Sequence, residues 1–322
     1  MESVIALLKN EMQAVEEQFE KNLASDVQLI SQVGQYVLSS GGKRFRPMLL
    51  LLCSRLCGYQ GDKQIELAAV VEFIHTATLL HDDVVDSASL RRGNRSANSV
   101  WGNQASVLVG DFLFAKSFSM MVNSESLRIL KILSDTTTQL AEGEILQLIN
   151  TCDLDVDEPR YLQVVRDKTA ILIAAACQVG GVLAGVPEHK EQALREFGLE
   201  IGTAFQLMDD ALDYVADQEE FGKERGHDLF EGKMTMPLIH AFSRSNDHER
   251  SEIARIVDAE DLAKEDLDYV CMLIERTGGI EYTRQRAVER IARAKQQLDT
   301  FPDCEARQAL FTLADYVVSR NK

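Results

Sequence analysis

The sequence predicts an all-α fold, and three observations carry that expectation. Only five prolines, Pro47, Pro159, Pro187, Pro237 and Pro302, interrupt 322 residues. Apolar residues recur at three- and four-residue intervals over long stretches, as one face of a helix requires. Alternating apolar and polar runs of strand length are missing. In chain order, helices are expected over 2–23, 27–39, 45–58, 63–86, 97–122, 125–150, 158–184, 188–217, 233–244, 248–257, 261–275, 278–299 and 304–320. The stripe Leu67, Val70, Val71, Ile74, Thr78 defines the helix over 63–86, and Leu127, Leu130, Ile132, Leu133 that over 125–150. Gly41-Gly42 breaks the chain before a basic run. Asn150 to Pro159 is an acidic linker whose proline suits a helix start. Gly222 to Gly232 reads as a polar loop, and Gly278-Gly279 separates two late helices.

Composition narrows the function. Hydrophobic residues at 45% and charged residues at 26% are those of an ordered globular chain. No shift of composition marks a boundary, so residues 1–322 are expected to form a single domain. The formal net charge of -17 opposes nucleic-acid binding, because a polyanion is repelled by the overall field. Six cysteines lack any C-x-x-C pairing, which suits free thiols in a reducing cytoplasm better than a zinc site. No basic start runs into an apolar segment, so no signal peptide is expected. No uninterrupted apolar run reaches the roughly 18 residues of a membrane span.

One motif occurs twice: Asp82-Asp83-Val84-Val85-Asp86 and Asp209-Asp210-Ala211-Leu212-Asp213. On an α-helix, positions i and i+4 lie about 40° apart around the axis and about 6 Å along it. Asp82 and Asp86 therefore point the same way, as do Asp209 and Asp213. Two carboxylates that close are unfavourable without a cation. Each cluster also ends an apolar segment, Ala77-Thr78-Leu79-Leu80 or Ala204-Phe205-Gln206-Leu207-Met208. A solvated acidic face explains one such motif as well as metal does, but explains two less well. Hard carboxylate oxygens suit magnesium, which takes one or two carboxylates plus substrate phosphates.

Fixed positive charge stands beside the acids. Gly41-Gly42-Lys43-Arg44-Phe45-Arg46-Pro47 leads from a loop into a helix, where backbone and dipole favour an anion. Arg91-Arg92 follows Asp86 by five residues, and arginine forks match phosphate oxygens. His75, seven residues before Asp82, lies only about 20° off its direction. Gly226 to Lys233 has one residue too many between its glycines for a P-loop, and Met234 stands where Ser or Thr is needed.

These segments, with SVLVGDFLFAKSF (106–118), AEGEILQL (141–148) and KTA (168–170), make the chain resemble the long-chain trans-polyprenyl diphosphate synthases of the isoprenoid synthase fold, nearly end to end. The resemblance implies a single-domain helical bundle around a deep central cavity. It implies that isopentenyl diphosphate is held by Lys43, Arg46, His75 and Arg92. The allylic diphosphate would be held by Arg91, Lys168, Thr169 and Gln206, with Lys223 and Lys233 closing over it. Mg2+, three ions in the full complex, would sit on Asp82, Asp83, Asp86, Asp209, Asp210 and Asp213. Asp82, Asp86, Arg91, Lys168 and Asp209 would be the catalytic set. The implied chemistry is ionisation, condensation and elimination in an apolar, water-poor cavity. Two departures fall in the closing loop: His227 replaces an acid and Met234 a proline.

Product length is expected to depend on the wall beneath the first cluster. Ala77 and Thr78 are small where short-chain relatives often carry aromatics. Val71 and Ile74 continue the row from Ala77, and Phe118, Met120 and Met121 are candidates for the floor. The small pair implies more than twenty carbons, and the resemblance implies forty, an octaprenyl chain for a quinone. Farnesyl diphosphate is the expected primer, a homodimer the expected assembly, and transient membrane contact is compatible with so greasy a product. A geranylgeranyl synthase and a terpene cyclase are the alternatives. A cyclase usually carries an N-S-E-type second motif and needs no isopentenyl diphosphate site. A non-catalytic subunit commonly loses aspartates or the basic motif.

Overall fold

The computed structural model describes residues 1–215, 226–259 and 262–320. Lys223, expected to close over the allylic diphosphate, lies outside them. The helices are α1 (Glu2–Leu7), α2 (Lys9–Leu23), α3 (Gln28–Ser39), α4 (Phe45–Leu56), α5 (Lys63–Val85), α6 (Ala97–Trp101), α7 (Asn103–Asn123), α8 (Leu127–Ile149), α9 (Glu158–Val165), α10 (Ile171–Leu183) and α11 (Glu188–Asp213). After them come α12 (His227–Phe230), α13 (Met236–Ser243), α14 (Asp247–Val257), α15 (Lys264–Thr277), α16 (Gly279–Gln297) and α17 (Glu305–Ser319). The fold is all-α, as the periodicity predicts.

The differences have local causes. The expected helix over 97–122 breaks at Gly102, whose φ of 86° helical residues do not adopt. The stretch over 158–184 contains a wide π turn, Arg166–Ala170, between α9 and α10. Within the expected loop before Lys233, His227–Phe230 form one helical turn that starts at Gly226, where φ is 74°. A two-residue ribbon, β1 (Leu90–Arg91) with β2 (Asn94–Arg95), pairs Leu90 with Arg95 and Arg91 with Asn94. Arg92 and Gly93 both have positive φ, 54° and 78°, as a tight hairpin turn needs. The acidic linker ends as expected: Asp157 accepts from the amide of Arg160, and Pro159 occupies the first turn of α9.

The chain divides into two compact units. The first comprises Met1–Thr137, Leu172–Gly198 and Gln297–Leu313; the second comprises Thr138–Ile171, Leu199–Gln296 and Ala314–Lys322. In the first, α5 is apolar all round through Leu67, Val70, Val71, Phe73, Ile74 and Leu80, all buried. A helix with no polar face belongs inside, and α5 packs against α2, α4 and most extensively α7. In the second, α13 packs against α9, α14 and α15.

Among the described residues α7 is the one helix long and apolar enough to span a membrane, with a mean hydropathy of 1.4. The sequence shows no unbroken apolar run because Asp111 and Lys116 interrupt it. Its inner face, with Val109, Leu113, Met120 and Met121, is buried. Its outer face leaves Val107, Leu108, Phe118 and Val122 exposed. Phe118, expected in the channel floor with Met120 and Met121, is 36% exposed. Val71, Ile74 and Ala77 are fully buried on α5, and Thr78 donates to the carbonyl of His75 at 2.8 Å.

Candidate active site

The first aspartate cluster closes α5. Asp82 and Asp83 are in its last turn, and the amide of Asp86 caps it by donating to the carbonyl of Asp82 at 2.8 Å. Asp82 and Asp86 are partly exposed, whereas Asp83 is 2% exposed. The ribbon returns Arg91 to Asp83, where its Nε donates to Oδ1 at 2.5 Å. Asp83, expected among the metal ligands, makes this contact to the ribbon. Asp83 follows Thr76 and Leu80, both buried, on one row of α5.

The basic residues of the first unit gather around His75. Burial, with Arg46, Arg92, Arg91 and Arg44 nearby, holds its imidazole well below the usual value, so it is neutral at pH 7. Arg46, His75 and Arg92, chosen from separate sequence segments, therefore share one neighbourhood. Arg92 lies against the glycine loop: a Cβ on Gly42 would stand 2.6 Å from its Nη1. Lys43 is exposed on that loop. Arg44 is committed elsewhere, to Glu16 at 2.9 Å, Glu72 at 3.1 Å and the carbonyl of Leu38 at 2.8 Å. Its left-handed backbone (φ 49°) caps α4 and turns the loop into that helix.

The second cluster closes α11. Asp210, expected among the metal ligands, is 3% exposed. Tyr161 donates to its Oδ2 at 2.5 Å and Gln206 to its Oδ1 at 2.8 Å. Burial pushes its carboxyl up to about 7, against these two hydrogen bonds, and the charges of Asp209 and Asp213 push the same way. Asp213 accepts from the amide of Asp228 at 3.1 Å. Asp228 is itself raised well above the usual carboxylate range, by burial first and by Asp213 and Asp210 next. Asp209 Oδ1 is paired with Arg320 at 2.7 Å. The Arg320 side chain is 7% exposed, stacks over Phe205 and donates to its carbonyl at 2.7 Å.

Lys168 and Thr169 are presented by the π turn. Two glycines let neighbouring helices touch that turn. A Cβ on Gly143 would stand 2.6 Å from backbone atoms of Asp167 and Lys168, and one on Gly202 2.5 Å from the Cα of Ala170. Lys168 pairs with Glu144 at 2.6 Å, and Thr169 donates to Gln206 at 3.0 Å. A cavity of about 140 Å³ in this unit is lined by Lys168, Thr169, Gln206, Asp210, Asp228 and Lys233, among others. Met234, at the family's proline position, lines it too. Lys233 and His227 share Glu231, at 2.5 and 3.6 Å.

Asp82, Asp86, Asp209 and Asp213 offer only hard oxygen donors, the chemistry magnesium prefers. Among the described residues no three His, Cys, Asp or Glu side chains form a ready metal cage. That fits an ion that arrives with substrate phosphates and keeps much of its water.

The polyprenyl synthetase family profile matches residues 27–274. The chain is 44% identical to octaprenyl diphosphate synthase of Escherichia coli K12, over 100% of this chain and 99% of that protein. It is 39% identical to an all-trans-nonaprenyl-diphosphate synthase (geranyl-diphosphate specific) of Rhodobacter capsulatus, over 99% and 98% of the two chains. The crystal structure of a polyprenyl synthase from Caulobacter crescentus CB15, complexed with calcium and isoprenyl diphosphate, superposes with a TM-score of 0.96 at 42% identity, covering 100% of this chain and 98% of that one. Motifs, helical fold and full-length similarity agree: this chain belongs to the polyprenyl synthetase family and is a long-chain trans-prenyltransferase.

Proposed function

We propose that the enzyme extends farnesyl diphosphate with isopentenyl diphosphate to all-trans octaprenyl diphosphate, a forty-carbon quinone side-chain precursor. The observation that carries the site assignment is the cavity of the second unit. Lys168, Thr169, Gln206 and Lys233, up to 65 positions apart, line one space. It offers two ammonium groups and the Gln206 amide to an anion, with the Thr169 hydroxyl able to turn from Gln206 to phosphate and the carboxyls of Asp210 and Asp228 alongside. In the first unit, Lys43, Arg46, His75 and Arg92 hold isopentenyl diphosphate.

Asp82 and Asp86 in one unit, and Asp209 and Asp213 in the other, would hold Mg2+, three ions in the full complex. Magnesium supplies positive charge that stabilises the diphosphate as it leaves. Lys168 and Lys233 add fixed charge to the same oxygens, and for Lys168 this means exchanging Glu144 for phosphate. The allylic C–O bond breaks with its electron pair going to diphosphate. The alkene of isopentenyl diphosphate then attacks the cation, and the released diphosphate takes the proton lost in elimination. Asp83 and Asp210 shape the clusters from within.

Forty carbons rest on the 44% identity to an octaprenyl synthase; a forty-five-carbon product is the second reading, favoured by the nonaprenyl relative. The exposed apolar face of α7 supports a homodimer, since a contiguous apolar face is stable when covered. Six free thiols fit a reducing cytoplasm. The product's chain supports transient contact with a membrane surface.

The test is condensation of farnesyl diphosphate with labelled isopentenyl diphosphate, with products separated by chain length. The expected result is a forty-carbon product that disappears with EDTA. Asp82→Ala should lower turnover by at least ~100-fold, as removal of a main charge-stabilising group does. Near-normal turnover in that variant would remove the aspartate from its role.

A further inference from the structure

Tyr161 belongs to none of the motifs read from the sequence, yet it forms part of the wall of the second unit's cavity. Its ring is buried on α9 and its hydroxyl donates to Asp210 Oδ2 at 2.5 Å. Gln206 Nε2 donates to the other oxygen, Oδ1, at 2.8 Å. Thr169 Oγ1 donates in turn to Gln206 Oε1 at 3.0 Å. Four side chains from α9, the π turn and α11 thus form one network whose two arms converge on Asp210. Both ends of the Gln206 amide are spoken for, which fixes its orientation by hydrogen bonding.

The hydroxyl is not needed to hold α9 in place. Asp157 caps that helix, and Glu158 is gripped by Arg286 and by the hydroxyl of Tyr282 at 2.6 Å. What the Tyr161 hydroxyl does is stop Asp210 from turning. A carboxylate held at one oxygen only rotates readily about its last torsion. It would then release Gln206, and with it the partner of Thr169.

We propose that Tyr161 is a positioning residue for the allylic-diphosphate site. Its hydroxyl clamps Asp210 and Asp210 orients Gln206, which holds the Thr169 hydroxyl in place; on binding, that proton turns from Gln206 Oε1 to the diphosphate. This rests on the reading of the cavity given above.

The experiment compares full-length Tyr161→Phe with the wild-type chain. KM is measured for farnesyl and for isopentenyl diphosphate, and calorimetry measures the Kd of inorganic pyrophosphate with Mg2+. Loss of a buried hydrogen bond to a charged group predicts a rise of about fivefold or more in the farnesyl diphosphate KM and the pyrophosphate Kd. The isopentenyl diphosphate KM should stay within about twofold, since Tyr161 lines the cavity assigned to the allylic substrate. In a Gln206→Ala background, adding Tyr161→Phe should change the farnesyl diphosphate KM less than about twofold, because the relay is already cut. A merely structural role would leave KM and Kd values near wild type, or move both substrates together; either result overturns the proposal. If Tyr161→Phe does not fold, a fluorinated tyrosine at 161 keeps the ring and alters only the donor strength. An unchanged pyrophosphate Kd in that protein would also overturn it. A wild-type chain that binds pyrophosphate but never condenses the two substrates would refute the functional reading, while the pyrophosphate titration still reports on Tyr161.

Discussion

Gly143→Ala should damage the enzyme, although helix propensity predicts the opposite. Alanine is better than glycine inside a helix by about 1 kcal/mol. Gly143, however, lies where α8 touches the π turn, and an added Cβ would stand 2.6 Å from the carbonyl carbon of Asp167 and the amide nitrogen of Lys168. These are backbone atoms, so no side chain can swing aside. The turn must retreat by about 0.8 Å to reach even the close limit of ordinary contact, 3.4 Å. Overpacking of this kind costs about 1–3 kcal/mol, which offsets the propensity gain and leaves a loss of up to about 2 kcal/mol. The catalytic effect should be larger than the stability effect. Lys168 moves with the turn, and its partner Glu144 is the residue after Gly143, so the pair is disturbed from both sides. A misplacement near 1 Å can cost about 100-fold, so kcat/KM for the allylic substrate should fall at least about tenfold. Steady-state condensation with each substrate varied, beside thermal melting, measures both. A variant that melts at or above wild type with unchanged allylic kinetics would refute this account of the π turn.

Other perturbations have equally definite signs. Arg91→Gln removes the ion pair between Arg91 and the buried Asp83 and should cost about 2–3 kcal/mol, discounted because Arg91 is partly exposed; denaturant melts will show it. In EDTA, Asp210 should make the fold less stable as pH rises. Its carboxyl moves from an ordinary 3.8 to about 7 on folding, so the folded chain holds that proton more tightly. The resulting stability is fully present below about pH 4 and lost by about pH 7, and Asp210→Asn should flatten the slope in melts taken across that range. Ala77→Phe fills a fully buried position on α5 and should shift products to shorter chains, measured by chromatography; an unchanged distribution would remove Ala77 from the wall.

The sequence made the helices legible because their apolar rows are long and few prolines or glycines interrupt them. The aspartate clusters were legible for the same reason, since i and i+4 spacing fixes a shared direction. It did not reveal which aspartates turn inward. Asp83 and Asp210 sit beside Asp82 and Asp209 in sequence but about 100° away around the helix, and contacts to distant Arg91 and Tyr161 give those directions a purpose. Arg320 was invisible because its partner, Asp209, lies 111 positions earlier and a terminal arginine carries no pattern. The π turn escaped notice because an apolar row runs through it, while the glycines that permit it, Gly143 and Gly202, lie on other helices. Contacts set by packing between distant segments leave no periodic trace.

The central claim is that two acidic helix ends hold divalent ions on substrate diphosphate. Its most direct test is anomalous scattering from crystals grown with Mn2+ in place of Mg2+, isopentenyl diphosphate and a non-ionisable thio analogue of farnesyl diphosphate. Metal peaks are expected in contact with Asp82 and Asp86 and with Asp209, and none on Asp83 or Asp210. Diphosphate bound with no metal at either cluster would contradict it.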